Sequence, residues 1–239
     1  MLHFVMTLPL FRFPIGIKAI QLLHRLHYEV RLIDHPESGR AAISKGLLPK
    51  AQKEALKNVQ IFHPLISEET PLLGIEPSAI LGFRDEYPRL VPKDWVARAR
   101  ELQTHCLLID EFLAKEMAAG NIRSEQFTDA PHQLLLHGHC HQKALASIDP
   151  TAWVLSLPSN YSVTVIPSGC CGMAGSFGYE KEHYDISMQI GQLVLFPAVE
   201  KAAATTTIVA PGTSCRHQIA DGTGRVAQHP VEVLYDALK

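Results

Sequence analysis

Tyr161-Ser162-Val163-Thr164-Val165-Ile166, running into Pro167-Ser168-Gly169-Cys170-Cys171-Gly172, is the stretch on which the fold turns. Its first six residues are rich in β-branched side chains, which suit a pleated, half-buried strand. Proline and glycine then stop the strand and open a turn. An earlier stretch has the same design: Tyr28-Glu29-Val30-Arg31-Leu32-Ile33, then Asp34-His35-Pro36-Glu37-Ser38-Gly39. The two align without a gap, residue 28 on 161 and residue 39 on 172. A second pair follows in the same order. Leu72-Leu73-Gly74-Ile75-Glu76-Pro77-Ser78-Ala79 matches Ile208-Val209-Ala210-Pro211-Gly212-Thr213-Ser214-Cys215, each a short apolar strand entering a turn and a helix. Two matches in one order, at nearly equal separation, favour an internal duplication.

Helical periodicity fills the intervals. Pro14 to His27 carries apolar residues at Ile17, Ile20 and Leu23, with Pro14 suited to a first turn. Leu47 to Ile61 and Lys93 to Met117 read as further helices, the latter ended by Gly120-Asn121. Tyr179 to Ala203 reads as mostly helix, and Pro230 to Leu238 as a closing helix. Met1 to Leu10 reads as an irregular first strand, and Gln133 to His137 as another strand. Strands alternating with helices imply parallel sheets covered by helices. The polar residues 121–130 read as a connector between a first lobe, 1–128, and a second, 129–239.

With 239 residues the chain is long enough for two such lobes, each with its own core. An apolar fraction of 46% with 19% charged residues is that of a soluble globular protein, and a net charge of −2 argues against nucleic acid as a partner. No apolar run is long enough to span a bilayer. The start of the chain has neither a basic leader nor a small-residue cleavage site, so a cytoplasmic location is expected. Five cysteines, two of them adjacent, make a poor disulfide framework and read better as metal ligands or reactive thiols.

Four of the five follow expected strands. Cys140 comes after the strand ending at His137, Cys170 and Cys171 after Ile166, and Cys215 after Ala210. Ligands of open parallel sheets bind outside the carboxyl ends of the strands, so three loops deliver four thiols to one crevice. Such a set suits a soft metal centre. Gly169 and Gly172 flank the adjacent pair and allow close backbone approach, and the following helix would turn its positive end to an anionic cluster. In the first lobe the aligned positions are Glu37, Ser38 and Ala79, so the working site belongs to the second lobe.

Competing readings share the residues. Four thiolates also suit tetrahedral zinc, with His139, His141 or His217 able to replace one. Buried, inert cysteines are the plain structural alternative, and Cys106, inside an expected helix, is read that way. A thiol–disulfide enzyme using Cys170 and Cys171 lacks both a C-x-x-C pair and a paired base. The glycines do not form the dinucleotide pattern, and no catalytic serine–histidine–acid set stands out. Lys143 and Arg216 are candidates to balance cluster charge.

Ser168-Gly169-Cys170-Cys171-Gly172-Met173-Ala174-Gly175, His137-Gly138-His139-Cys140-His141 and Gly212-Thr213-Ser214-Cys215-Arg216-His217 together resemble the cysteine-rich (CCG) domain family. That family includes the heterodisulfide reductase B subunit, the iron–sulfur subunits of glycolate and glycerol-3-phosphate dehydrogenases, and lactate-utilisation proteins. The likeness is greatest to the C-terminal region of FAD-linked oxidase/iron–sulfur oxidoreductases acting on D-2-hydroxy acids. It implies an α/β fold of two duplicated, Rossmann-like lobes and a 4Fe–4S cluster held by Cys140, Cys170, Cys171 and Cys215. It further implies electron transfer from a flavoprotein dehydrogenase through ferredoxin-type iron–sulfur clusters, and peripheral association with a membrane through those partners. The sequence departs from the family's fullest pattern at the C-x-x-C, where Cys215 is followed by Arg216-His217-Gln218. It also lacks a flavin-binding region and a ferredoxin-type cysteine run, so this chain is expected to act as one component rather than as a complete enzyme.

Overall fold

The computed structural model describes residues 14–239 in full and the backbone of residues 3–6. The remainder of the expected first strand, at residues 1–2 and 7–10, lies outside the described residues. The chain divides into two compact units, Met1–Phe112 and Leu113–Lys239. Both are α/β, with parallel sheets flanked by helices.

The first unit contains strands β1 (His3–Met6), β2 (Glu29–Leu32), β3 (Leu72–Gly74) and β4 (Cys106–Leu108). Between them run helices α1 (Pro14–Arg25), α2 (Arg40–Ser44), α3 (Leu48–Phe62), α4 (Pro77–Arg84), α5 (Tyr87–Leu90) and α6 (Val96–Gln103), and α7 (Ile109–Ala118) leads out of the unit. The sheet order is β2-β1-β3-β4, parallel throughout. Helix α4 begins as its sequence dictates: Pro77 fills a first-turn position, where a missing N–H costs nothing, and the Glu76 side chain accepts from Ser78 N. The expected single helix from Lys93 to Met117 is instead α6, β4 and α7. Thr104 and His105 end α6, and Cys106-Leu107-Leu108 pairs with β3. Cys106 therefore lies in a strand, and it is core as expected: it is buried and its thiol donates to Leu102 O at 3.2 Å. Burial pushes its pKa up.

Past the end of β2, the Glu37 and Ser38 carbonyls are occupied by side chains of the same unit. Asn58 Nδ2 donates to Glu37 O at 2.9 Å and to Tyr87 Oη at 2.8 Å, and Tyr87 Oη donates to Ser38 O at 3.0 Å. Phe83 packs on Tyr87 and Phe62 on Phe83, so Tyr87 reaches its carbonyl from a cluster of aromatic rings.

The second unit contains β5 (His132–Leu136), β6 (Tyr161–Val165), β7 (Thr207–Val209) and β8 (Ala227–Gln228), in the parallel order β6-β5-β7-β8. Its helices after α7 are α8 (Cys140–Leu145), α9 (Asp149–Leu155), α10 (Tyr184–Leu193), α11 (Leu195–Lys201), α12 (Thr213–Thr223) and α13 (Pro230–Ala237). In each sheet, then, the second strand stands at the edge, beside the first, with the third and fourth beyond. The stretches that align in sequence fall on corresponding strands, β2 with β6 and β3 with β7. The polar stretch expected as a connector is held within the second unit by its two large apolar residues, Ile122 and Phe127, both buried. Phe127 is buried and bridges to Leu238, and Thr128 N donates to Ala237 O at 2.7 Å. No described helix is long and apolar enough to cross a membrane.

Candidate metal centre

The four thiols of the second unit stand at the carboxyl ends of β5, β6 and β7, as the strand-end argument requires. After β5 the chain stays in the sheet for one more residue, His137 N donating to Val209 O at 2.8 Å. It then turns at Gly138, and α8 starts on Cys140 with His139 as its cap, Nδ1 accepting from His141 N at 3.2 Å. After β7, Gly212 opens α12 and Cys215 sits in that helix's first turn. A Cβ at Gly212 would stand 2.3 Å from His139 Cδ2 and 3.2 Å from Cys215 Sγ, so only glycine lets the two loops approach this closely.

The loop after β6 is shaped by left-handed backbone at Gly172 (φ +106°), Ala174 (φ +40°) and Gly175 (φ +72°). This path turns main-chain N–H groups inward. Gly172 N donates to Cys170 Sγ at 3.3 Å, Ala174 N donates to the same sulfur, and Met173 N donates to Cys171. Successive N–H groups converging on one point form an anion cradle. The next helix after this loop is α10, which begins at Tyr184 and packs against the loop through Ser187. Cys215 lies in the first turn of α12, at the positive end of that helix's dipole.

Cations and amides fasten the loops to one another. Lys143 Nζ, on α8, donates to Gly169 O at 2.7 Å and to Ser168 O, joining the Cys140 helix to the Cys170–Cys171 loop. Arg216 donates to Ala210 O and Pro211 O within the β7 loop. Gln218, buried on α12, donates to Ser187 O and Ser187 Oγ on α10. Both cations expected to balance charge are thus held on backbone carbonyls. Replacing Lys143 with methionine is expected to lower the unfolding free energy of the full chain by about 1–2 kcal/mol, the worth of one charge-assisted anchor. Urea unfolding followed by far-UV circular dichroism would measure it; an unchanged midpoint would show that the loops hold without the clamp.

The free thiols form a line of hydrogen bonds: Cys140 with Cys170, Cys170 with Cys171, and Cys171 with Cys215. Protons are shared unequally along it. Hydrogen bonds from Cys140 and then Cys171 hold Cys170 far below the usual thiol range, and backbone N–H groups add to this. Cys215 is likewise lowered, first by its bond from Cys171. The two donor thiols move the other way, Cys140 and Cys171 each being raised first by the bond to Cys170. The line runs from the half-buried Cys140 and Cys170 to the buried Cys171 and Cys215, which lie in the apolar core with Ile166, Met173 and Phe196.

One histidine joins them that the motif reading had not singled out. A ring nitrogen of His137 and the sulfurs of Cys171 and Cys215 all lie within 4.8 Å of one another. His137 is fully buried; Ser168 Oγ holds its Nδ1 at 2.7 Å, and its Nε2 is buried without a well-formed hydrogen bond. The ring is close enough to Cys215 to help lower that thiol. Alternation of His137, His139 and His141 could not say which faces inward, but one signal was present. His137 is the first polar residue after the apolar Leu134-Leu135-Leu136 and so stands at the strand's carboxyl end. Of the histidines named from sequence, His139 is buried beside Gly212 and Cys215, and His141 is half-buried. His217 is exposed and pairs with Tyr179 Oη at 2.8 Å. Gly169 is exposed, with open space where a side chain would go, and contributes its carbonyl to Lys143.

The donor set fits a soft metal. Four thiols, half of them already inclined to ionise, an imidazole nitrogen without a well-formed hydrogen bond and inward N–H groups are what a thiolate-bound, anionic centre requires.

No family model matches the chain. Among curated proteins it is similar to one of the subunits of the anaerobic glycerol-3-phosphate dehydrogenase of Escherichia coli K12, 27% identical over 226 residues. That alignment takes in 94% of this chain and 55% of the relative. It is also similar to the D-2-hydroxyglutarate dehydrogenases of Escherichia coli K12 and Pantoea ananatis, at 25% and 28% identity. Each of these alignments covers 92% of this chain, and 21% and 20% of the respective relatives. The chain therefore spans about half of the first relative and about a fifth of the others, and what it resembles is a part of larger dehydrogenases.

Proposed function

We propose that the second unit holds an iron–sulfur cluster through Cys140, Cys170, Cys171 and Cys215, and that the chain is the electron-transfer part of a flavin-linked dehydrogenase. The observation that carries this reading is the line of four thiols from three strand-end loops, two in the core and two towards the surface. A mononuclear ion needs its donors around one point. Here only Cys171 and Cys215, with His137, meet that condition among the described residues, and the line of sulfurs extends past it to Cys170 and Cys140. An extended line suits a centre of several metal ions, and 4Fe–4S is the species that the family resemblance adds.

When bound, such a cluster supplies a one-electron relay. The protein's own residues do the rest. The N–H groups of Gly172, Met173 and Ala174 hold negative charge at the sulfurs, and Ile166, Met173 and Phe196 keep water from the inner pair. Cys140 and Cys170 mark the side nearest solvent, where electrons would enter or leave. The names of the relatives share the oxidation of a secondary alcohol. We extend that to this chain as a D-2-hydroxy acid or similar substrate, oxidised by a flavoprotein and passed on through a ferredoxin-type component. On this reading the chain is cytoplasmic and meets a membrane only through such partners.

The matching strand orders support reading the chain as two CCG-like copies, 1–128 and 129–239. Glu37 and Ser38, aligned with Cys170 and Cys171, then mark a lost site, and Asn58 and Tyr87 fill it.

A second reading, a zinc-stabilised assembly module, is favoured by the close grouping of His137, Cys171 and Cys215. Iron, zinc and acid-labile sulfide analysis of anaerobically purified protein separates the two. Iron with equimolar sulfide is expected; zinc without sulfide would sink the redox reading.

A further inference from the structure

We propose that His137 is itself a metal ligand, through Nε2, so that the centre has mixed sulfur and nitrogen ligation. This rests on the reading of the site as a metal centre and adds a donor to it.

Buried ring nitrogens are normally hydrogen-bonded, and one left without a good partner costs about 1–3 kcal/mol. His137 is 0% exposed, and its Nε2 has no well-formed hydrogen bond, only the nearby sulfur of Cys215, a neighbour that a shared metal would bridge to it. It belongs to the one described group of three ligating side chains whose donor atoms fall within 4.8 Å of each other. Its other nitrogen is fixed as metal-binding histidines require. Nδ1 and Ser168 Oγ lie 2.7 Å apart, and the tautomer in which Nδ1–H donates to that hydroxyl turns the Nε2 lone pair to the metal. Ser168 is itself buried, and its carbonyl is held by Lys143, so the ring has a rigid support.

The neighbouring residues leave this position to His137. Position 218, which would complete a C-x-x-C with Cys215, is Gln218, and its amide is engaged with Ser187. His139 uses Nδ1 to cap α8, and His217 faces Tyr179 at the surface. Neutral imidazole in place of a thiolate leaves the centre with one less negative charge and so favours its reduced form.

The test uses the full chain labelled with 15N-histidine, loaded anaerobically with iron and sulfide, and in parallel with zinc. In the reduced iron form, pulsed electron paramagnetic resonance is expected to show a strongly coupled histidine nitrogen, which His137→Ala abolishes. In the zinc form, X-ray absorption is expected to show a nitrogen scatterer at about 2.0 Å, lost in the same variant. His137→Cys guards against a folding defect: it should keep its metal, lose the nitrogen signal and have a lower reduction potential. Metal-loaded wild-type protein with a sulfur-only shell would overturn the assignment of His137 while leaving the metal centre standing. Failure of the wild type to bind either metal would overturn both.

Discussion

Cys171→Ser protein, purified without oxygen, is expected to retain its fold and lose its metal, with affinity reduced by more than about 100-fold. Removing a group that merely orients a ligand already costs 10–100-fold, and Cys171 is proposed as a ligand. Its sulfur lies between those of Cys170 and Cys215 and is buried in the core. A serine oxygen is smaller, harder and far less acidic, so the line of soft donors would be broken at its middle. Against metal-free wild type, the change in unfolding free energy should stay within about 1–2 kcal/mol, because the two side chains are nearly the same size. Metal content per chain, with circular dichroism as the folding control, would decide. A full complement of metal in the variant would move the ligand set away from the adjacent pair.

The second large effect is mechanical. Gly172→Ala is expected to cost about 3–5 kcal/mol and to lower the melting temperature by roughly 10–20 °C. The residue has φ +106°, where an L side chain is strained by about 1–3 kcal/mol. The added Cβ would also stand 2.1 Å from Ser187 O and 2.9 Å from Gln218 Nε2. The loop would have to lift from α10 or break the two Gln218 bonds. Gly169→Ala supplies the contrast: nothing lies within 4 Å of a Cβ there, and a change within about 0.5 kcal/mol is expected. Equal melting temperatures for the two variants would refute this account of the loop.

These two glycines also show how far the sequence could be read. Both were placed beside the adjacent thiols from their spacing, but their different surroundings come from α10 and α12, which are remote in sequence. The strands of the repeat were legible because β-branched runs ending in proline or glycine are a local signal. β4 and β8 were not: three and two residues long, they have no period to detect and exist through pairing with β3 and β7. Cys106 falls in a strand rather than the expected helix for that reason, and it is a core residue as expected. The cysteines were legible as a set because strand ends of a parallel sheet are a topological place, not a local one. His137 was not, since three alternating histidines carry no record of where the turn at Gly138 leaves each ring. Nor could composition show that Asn58 and Tyr87 reach the carbonyls of Glu37 and Ser38 from two separate helices.

The spacing of the thiols has a consequence for the life of the protein. In an unfolded chain the donors fall in three separate groups, His137 with Cys140, Cys170 with Cys171, and Cys215, with about thirty residues or more between one group and the next. With a metal bound as proposed, capture of the ion and closure of the second unit become linked equilibria. Ion at 1,000 times its dissociation constant would add about 4 kcal/mol to the folded state. The first unit, whose one cysteine, Cys106, is a core residue, has no such dependence. Scarcity of metal would then expose the second unit to proteases while the first stayed closed, and the amount of intact chain in a cell would follow the metal supply.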